Sequence, residues 1–446
     1  MGKASKQRKA RTKAATAASA PYPPTPLSPT SSSDTEGISS VDLAITTETL
    51  EALLAKPALL KSAAHKNLRA MIHKLHAAVQ GGEDELVIAL RAGEHEHARN
   101  LLATIKNPKL GALQRWVREC DAINDGSDEC WKTLEAIIRT TTTRDNAIGA
   151  LARFQPWRPE TGEEALHIYR DVKLGKICSR EEADHFKASF RVLHTIPAAE
   201  RKPPNLHPAI IWSSNDNTIP FTPTGDITAI PIPSVPNAIF LQNVLSQTTC
   251  RQIIAAAETM GFTPDQAAAG SATELASVLA HNFYWMADEA FCTSLFERVK
   301  PFLPATVKGL PVRSINRRFR CYRYVPGAVY RPHVDGAWPP SGITSKGEYV
   351  YNASDPEKPE YSRFTFLVYL NDEFEGGETT FFVPAPGEGL EARGVKPMMG
   401  SVVVFPHGDA EGSLVHEGTG VTKGAKYIIR TDVVYEVPKS GRAAKE

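Results

Sequence analysis

The sequence predicts an α+β fold in which an α-helical N-terminal region precedes a jelly roll. Between about residues 41 and 145, apolar residues recur at three- and four-residue spacing, as they do on one face of a helix. Beyond residue 226, two more helical patterns lead into many short runs of β-branched and aromatic residues, separated by Gly, Pro and Asp turns. Helices followed by this many strands indicate two antiparallel sheets packed face to face.

The composition is that of an ordinary globular protein. The 446 residues are enough for two or three domains, and the chain is 42% hydrophobic and 23% charged, with a formal net charge of +1. This balance argues against a nucleic-acid partner, which would require a basic stripe. The six cysteines have no CxxC spacing, and no apolar run approaches the ~20 residues of a membrane helix. We therefore expect a reduced intracellular protein with no membrane partner and no secretory leader.

The first forty residues have a different composition. "MGKASKQRKARTK" contains six basic residues and no acidic one, and a Ser/Thr/Pro/Ala-rich tract follows it. Such a segment cannot bury a core, so we expect disorder. The basic cluster fits a nuclear address, a transit-like leader or a solvated tail equally well. Localisation to the cytoplasm or the nucleus is the expectation that follows.

Two segments of the N-terminal region show the helical pattern most clearly. In "LGALQRWVREC" the apolar face consists of Leu110, Leu113, Trp116, Val117 and Cys120. "SDECWKTLEAII" repeats the pattern, and Ser127 is placed to cap its N-terminus. These segments predict a small helical bundle or an array of helical hairpins.

The C-terminal half contains the remaining elements. "SQTTCRQIIAAAETMGF" and "DEAFCTSLFERVKPFLP" predict helices. The predicted strands are "SINRRFRCYRYV", "SRFTFLVYLN", "ETTFF", "SVVVF", "SLVHEG" and "KYIIRTDVVYEV".

The stretch "YRPHVDG" carries the first chemical signal. Positions i and i+2 of a strand face the same side, so His333 and Asp335 point at one place. They are either a hydrogen-bonded pair or two members of a metal site. His416 in "SLVHEGTG" is the candidate third ligand. Two histidines and one carboxylate, with coordination positions left open, are typical of non-haem Fe(II) oxygenases.

A bidentate co-substrate on such a metal needs an anchor of its own. Lys426 in "GAKYII" is one candidate, because a buried lysine is costly unless it meets an anion such as a dicarboxylate. Arg430 is the other candidate. The two positions are separated by an even number of residues on one predicted strand, so both can face the metal.

The last ~210 residues resemble the catalytic domain of the prolyl 4-hydroxylase-like 2-oxoglutarate/Fe(II) dioxygenases, whose fold is the double-stranded β-helix. Four blocks match in order: "YRYVPGAVYRPHVD", "FLVYLNDEFEGGETTFF", "GSVVVF" and "LVHEGTGVTKGAK". The resemblance implies that His333, Asp335 and His416 bind Fe(II) and that Lys426 binds the distal carboxylate of 2-oxoglutarate. It also places Tyr324 near the co-substrate and matches Tyr369 to a tyrosine used in related hydroxylases.

The resemblance further implies the reaction. O₂ and 2-oxoglutarate are the co-substrates, a C–H bond is hydroxylated, and L-ascorbate keeps the iron active. The expected substrate is a prolyl residue of a protein. The alternatives are the same chemistry on a small molecule, a lipid or a nucleobase, and a catalytically idle oxygenase fold that serves as a binding module. A long Gly/Pro/Ser-rich segment between Asp335 and Ser362 departs from the family pattern and suggests a lid or binding loop.

Several other residues have a simpler interpretation beside the chemical one. His407 and Asp409 in "PHGDA" repeat the His-x-Asp spacing, but they follow a strand and are interpreted as a polar turn. The cluster "EHEH" at 94–97 is interpreted as a solvated helix face, since neighbouring helical residues point in different directions. Trp338 is either a substrate-stacking ring or a loop anchor. Of the histidines in "HKNLRAMIHKLH" (His65, His73 and His76), His73 and His76 share a helix face and are interpreted as a surface or interface pair.

The predicted organisation has five parts. They are a disordered tail (1–40), a helical domain (41–150), a helical and loop linker that packs on the catalytic domain (151–225), an Fe(II)/2-oxoglutarate dioxygenase domain (226–437) and a short disordered tail (438–446).

Overall fold

A computed structural model describes most of the chain from Glu85 onward. The described residues are 45–50, 85–106, 108–124, 127–140, 151–160, 167–201, 205–266, 268, 280–385, 389–408 and 410–438. The chain divides into two compact units, residues 1–80 and 81–446. In the first unit only 45–50 are described, and they are helical and exposed. The two predicted tails lie outside the described residues, apart from Pro438, as do Asp409 and the histidines of "HKNLRAMIHKLH".

The helices lie where the periodicity predicts them. Ser127 is the N-cap residue of one predicted helix, and the Ser246 side chain accepts the Thr249 amide hydrogen at the start of another. The helices are α1 (Glu85–Ala92), α2 (His95–Leu102), α3 (Leu110–Ala122), α4 (Asp128–Arg139), α5 (Ile168–Lys173), α6 (Arg180–Ser189), α7 (Gln247–Met260) and α8 (Glu289–Val299). No helix among the described residues has both the length and the apolar character that crossing a membrane requires.

The strands make up most of the C-terminal half. In chain order they are β1 (Leu151–Arg153), β2 (Phe190–Ile196), β3 (Ala209–Ser214), β4 (Thr228–Pro231), β5 (Ile239–Gln242), β6 (His281–Met286), β7 (Thr306–Val307), β8 (Leu310–Ile315), β9 (Arg318–Tyr324), β10 (Tyr330–His333), β11 (Gly342–Ile343), β12 (Tyr349–Val350), β13 (Glu360–Tyr369), β14 (Glu375–Gly376), β15 (Thr379–Pro384), β16 (Leu390–Val395), β17 (Val402–Pro406), β18 (Val415–Gly418), β19 (Val421–Lys423) and β20 (Lys426–Glu436).

Two sheets form the jelly roll. The large sheet has the order β2-β3-β6-β9-β20-β13-β17-β5-β4, with β8 joined to β20 and β7 to β8. The small sheet has the order β1-β16-β15-β18-β10. Side chains of both sheets meet in one apolar cluster, for example Tyr369 and Phe405 from the large sheet with Phe381 from the small one. These sheets and the helices confirm the predicted α+β jelly roll.

Helices cover the outer face of each sheet. On the large sheet, α7 and α8 bury Ile253, Phe291 and Leu295 against strand residues such as Phe319 and Phe366. On the small sheet, α1 to α4 share a core with Val334, Phe382 and Val415, and Trp131 stacks on Phe382 with ring centroids 5.6 Å apart. The N-terminal helices that are described therefore pack directly on the strands of the small sheet. The five-part domain division stays a prediction.

The long segment after Asp335 folds back on the large sheet. Its hairpin, β11–β12, places Tyr349 on the ring of His194 at 5.2 Å. Trp338 pairs through its backbone with Ser362 and lies 4.9 Å from the guanidinium carbon of Arg318. The segment after Asp335 therefore contacts residues of the large sheet both at Tyr349 and at Trp338.

Candidate metal centre and adjoining pocket

Strands β10 and β18 place the two predicted histidine ligands side by side. They are antiparallel neighbours, and His333 lies opposite His416 in the register. The register shifts between Tyr330 and His333, because three steps along β10 correspond to two along β18. This bulge turns both Tyr330 and His333 toward the pocket. The imidazole centroids are 4.3 Å apart.

Asp335 completes the cluster. Its Oδ1 lies 3.4 Å from Nε2 of His333, and its Oδ2 lies 3.7 Å from Nε2 of His416. The three donor atoms are all within 4.8 Å of one another. Among the described residues this is the only group of three or more His, Cys, Asp or Glu side chains that comes so close.

Backbone carbonyls fix the tautomer of each imidazole. Nδ1 of His333 donates to the carbonyl of Arg331 at 2.7 Å, and Nδ1 of His416 donates to the carbonyl of Leu414 at 3.2 Å. The lone pair of each ring is thereby left on Nε2, which faces Asp335. Burial and the neighbouring His333 lower the pKa of His416 to about 3, so this ring is neutral and able to bind a metal.

Asp335 is held as a carboxylate. Burial alone would raise its pKa, but the guanidinium of Arg430, at 3.7 Å from Oδ1, holds the pKa well below its usual range. The Thr365 hydroxyl donates to Oδ2 at 2.6 Å. Gly408, at φ +65°, donates its amide to the main-chain carbonyl of Asp335, and a Cβ there would lie 2.9 Å from that of Ala337. An ionised carboxylate beside two imidazoles whose Nε2 atoms face it suits a divalent cation.

His407 does begin a turn after β17, where its carbonyl accepts the amide hydrogen of Ala410 at 3.1 Å, but the prediction missed that its side chain is buried. Its side chain is only 1% exposed and contacts Ser362 through Nε2 at 2.7 Å and Thr365 through Nδ1 at 2.9 Å. Burial and Arg430 lower the pKa of His407 to about 3, so the ring is neutral. Because the Thr365 hydroxyl donates to Asp335, its oxygen accepts the Nδ1 hydrogen of His407, and Nε2 of His407 accepts the hydroxyl hydrogen of Ser362. His407 therefore stabilises the Asp335 carboxylate indirectly, through Thr365. His407 and Thr365 meet because β13, which contains Thr365, pairs with β17, which His407 directly follows.

Lys426 lies in the same pocket, at the first residue of β20. It is opposite Tyr324 of β9 and is only 2% exposed. Its Nζ donates to the carbonyl of Gly377 at 2.6 Å and lies 5.4 Å from the ring of Tyr324. Gly377 has φ +71°, and a Cβ there would come within 3.2 Å of the lysine stem. Burial lowers the pKa of Lys426 to about 7, which indicates that nearby anionic groups do not offset the cost of burying its positive charge.

The other predicted co-substrate residues lie around the same space. Tyr324 lines the pocket, and burial raises its pKa well above the usual range. Tyr369 does not line the pocket: it is fully buried, its ring lies 5.8 Å from Nζ of Lys426, and it donates to the hydroxyl of Thr379 at 2.8 Å. Arg430 also lines the pocket, but its guanidinium faces the carboxylates of Asp335 and Asp432, the latter at 3.1 Å. The pocket thus has one end lined by His333, Asp335 and His416 and another end lined by Lys426.

Several pocket residues were missed from the sequence. Strand alternation could have identified Ile428, which lies between Lys426 and Arg430 on the same face. Alternation could likewise have identified Tyr322, two residues before Tyr324, and Gly418, two residues after His416. The others required the strand register: Tyr330, Thr365, Leu367, Thr379, Phe405 and Glu417. Of the "EHEH" cluster, His97 is on the surface beside Glu85, whereas His95 turns inward to Thr133 at 3.1 Å.

The sequence around this site is similar to that of a known protein family. Residues 319–431 match the family described as the 2OG-Fe(II) oxygenase superfamily, and this range contains all seven predicted site residues. No curated protein matches the chain.

Three solved structures illustrate the similarity. The 2OG complex of viral collagen prolyl hydroxylase from Paramecium bursaria Chlorella virus-1 is 20% identical, with 45% of this chain and 97% of that chain covered and a TM-score of 0.29. A Pseudomonas putida prolyl-4-hydroxylase is 17% identical, with 45% and 93% covered and a TM-score of 0.27. A Trichoplax adhaerens prolyl hydroxylase, in complex with a hypoxia inducible factor peptide fragment, is 15% identical, with 47% and 87% covered and a TM-score of 0.32.

Proposed function

We propose that the protein is a dioxygenase that hydroxylates a prolyl residue of a protein substrate, from the premise that residues 319–431 match the family described as the 2OG-Fe(II) oxygenase superfamily. The observation that carries the proposal is the shared pocket. Three metal-binding side chains and one buried lysine line a single space between the two sheets.

The metal in this proposal is Fe(II), held by His333, Asp335 and His416. Two imidazoles and one ionised carboxylate fit this cation, and three coordination positions are left open. When bound, Fe(II) supplies the oxidising chemistry that couples decarboxylation of 2-oxoglutarate to hydroxylation of a C–H bond. Thr365 and Arg430 keep Asp335 oriented and ionised for this role.

The co-substrate in this proposal is 2-oxoglutarate, with its distal carboxylate on Lys426. An anion there would pair with a buried cation whose one hydrogen bond is to the Gly377 carbonyl. Arg430 is the weaker candidate, because it is already paired with two carboxylates. Apolar walls from Leu367, Phe405 and Ile428 exclude water between the two ends of the pocket.

A row of aromatic and arginine side chains supports the choice of a prolyl peptide; its partly exposed members include Trp338, Arg318 and Tyr330, whereas Tyr284 and Tyr322 are buried. Aromatic faces suit a pyrrolidine ring, and guanidinium groups donate to peptide carbonyls. Each neighbour in the row is 4.1 to 6.0 Å from the next. The row leads to the metal site in the order Trp338, Arg318, Tyr284, Arg320, Tyr322, Tyr330 and His333.

The remaining parts of the proposal concern the cellular setting. O₂ is the second co-substrate, and L-ascorbate restores iron that has been oxidised without turnover. The protein acts inside the cell, in the cytoplasm or the nucleus, in keeping with scattered cysteines and a basic N-terminal segment.

Anaerobic titration with Fe(II) and 2-oxoglutarate tests the chemistry. We expect a metal-to-ligand charge-transfer band that requires both additions. If folded wild-type protein gives no band, the oxygenase proposal fails and a binding module takes its place. A second assay follows succinate formation and a 16 Da mass gain on proline-containing peptides. Succinate stimulated only by a small molecule or a nucleobase would reject the prolyl substrate while retaining the chemistry.

A further inference from the structure

Helix α3 contacts the metal-ligand strand from its outer side. Nη1 of Arg331 lies 2.9 Å from Oδ2 of Asp121 and donates to the main-chain carbonyl of the same residue at 3.1 Å. Asp121 belongs to the last turn of α3, which is the negative end of the helix dipole. Arg331 is therefore attached both to a side chain and to the end of a helix.

A second contact lies one residue beyond His333. Nε2 of Gln114 donates to the carbonyl of Val334 at 2.8 Å. Gln114 and Asp121 are seven residues apart, so they share one face of α3. The Val334 side chain is 4% exposed and packs in the apolar core of the N-terminal helices. The segment 331–334 is thus fixed to α3 by polar contacts at both ends and by apolar packing.

Strand β10 is only weakly held by its own sheet pairing near His333. Its bulge interrupts the ladder between Tyr330 and His333, and Pro332 has no amide hydrogen to donate. Yet the carbonyl of Arg331 is the group that orients His333, through Nδ1 at 2.7 Å. Asp121 therefore holds the residue whose carbonyl sets the imidazole, and Gln114 holds the residue between His333 and Asp335.

We propose that α3 is part of the metal centre and that Asp121 and Gln114 are positioning residues for His333 and Asp335. This gives the N-terminal helices a role inside the catalytic unit, distinct from docking a partner. The inference rests on the proposed function only in that the His–Asp–His cluster binds a divalent metal. Neither residue touches the metal or the substrate in this scheme.

Co(II) binding to full-length protein tests the proposal without requiring turnover. The visible absorption of bound Co(II) is titrated for wild type, Asp121→Asn and Gln114→Ala. Glu119→Gln is the matched control, because Glu119 lies on α3 but pairs with Arg91 of α1 at 2.9 Å. We expect about a 10- to 100-fold loss of Co(II) affinity in each positioning variant and wild-type affinity in the control.

A double-mutant cycle with Arg331→Gln identifies the route. If Asp121 acts through Arg331, Asp121→Asn adds little to the loss that Arg331→Gln already causes. Wild-type affinity in folded Asp121→Asn and Gln114→Ala would overturn the proposal. If Asp121→Asn does not fold, as judged by circular dichroism, the milder Gln114→Ala variant tests the proposal alone. Reduced Co(II) affinity then supports the proposal, and wild-type affinity overturns it. If wild-type protein fails to bind Co(II), the proposed function itself fails. This result is distinct from wild-type affinity in the α3 variants, which would overturn only the role of α3.

Discussion

His333 and His416 lie directly opposite each other in the antiparallel pair β10–β18, with their ring centroids 4.3 Å apart. The spacing between the two ligands is therefore set by the register of two strands. A slip of one residue would point one imidazole to the other face of the sheet. Length differences in the connections between these strands leave the ligand spacing unchanged.

Replacing His416 should remove metal binding without unfolding the protein. The His416→Ala variant leaves one imidazole and one carboxylate, so we expect the anaerobic charge-transfer band to disappear. The matched control is His97→Ala, because His97 is a surface histidine of α2 with its side chain 45% exposed. A band of wild-type intensity in His416→Ala would contradict the assignment of this ligand.

Part of the candidate site could be predicted from local spacing. The i, i+2 rule indicated that His333 and Asp335 point at one place, although β10 ends at His333, and the same rule places Lys426 with Arg430 on β20. His416 was identified through the resemblance of its block to the family, because only the pairing of β10 with β18 brings it to His333. The supporting groups could not be predicted in this way. Thr365 and His407 meet Asp335 only through the pairing of β13 with β17, and Asp121 meets Arg331 only through packing of a helix on a sheet. Contacts between distant segments leave no pattern in a single sequence.

Lys426→Met should weaken 2-oxoglutarate binding far more than metal binding. The substitution keeps a long apolar stem but removes a charge-assisted hydrogen bond, which is worth about 1.5–3 kcal/mol. We therefore expect the dissociation constant of 2-oxoglutarate to rise about 10- to 150-fold. Anaerobic titrations of each component measure the two affinities separately.

Arg430→Gln provides the contrast for this experiment. Arg430 lies 3.7 Å from Asp335 and lowers the pKa of that carboxyl, so its loss should weaken Fe(II) binding first. If Arg430→Gln instead raises the 2-oxoglutarate constant while metal affinity is unchanged, Arg430 holds the distal carboxylate in place of Lys426.

The affinity for 2-oxoglutarate should depend on pH through Lys426. Burial disfavours the ammonium form and lowers the pKa of this lysine to about 7 in the protein without a bound anion. The anion requires the charged form, so below pH 7 the affinity is constant. Above pH 7 the dissociation constant should rise by up to tenfold per unit, as an increasing share of the lysine must take up a proton to bind.

Calorimetry in buffers of different ionisation enthalpy measures this proton uptake. At pH 8 we expect close to one proton taken up per 2-oxoglutarate bound. The Lys426→Met variant is the control, and its proton uptake should be lower by this amount. Equal proton uptake in both proteins would show that another group titrates.

Thr365→Val should weaken metal binding while preserving the shape of the strand. Valine is nearly isosteric with threonine but cannot donate to Oδ2 of Asp335, and it leaves the buried Nδ1–H of His407 without its acceptor at 2.9 Å. We expect about a 10- to 100-fold loss of Co(II) affinity. The unsatisfied imidazole should lower the free energy of unfolding by about 1–3 kcal/mol, measured by urea denaturation. Thr365→Ser keeps the hydroxyl and should restore most of the metal affinity. If the serine variant loses as much affinity as the valine variant, the lost methyl packing matters and the hydrogen bond to Asp335 does not.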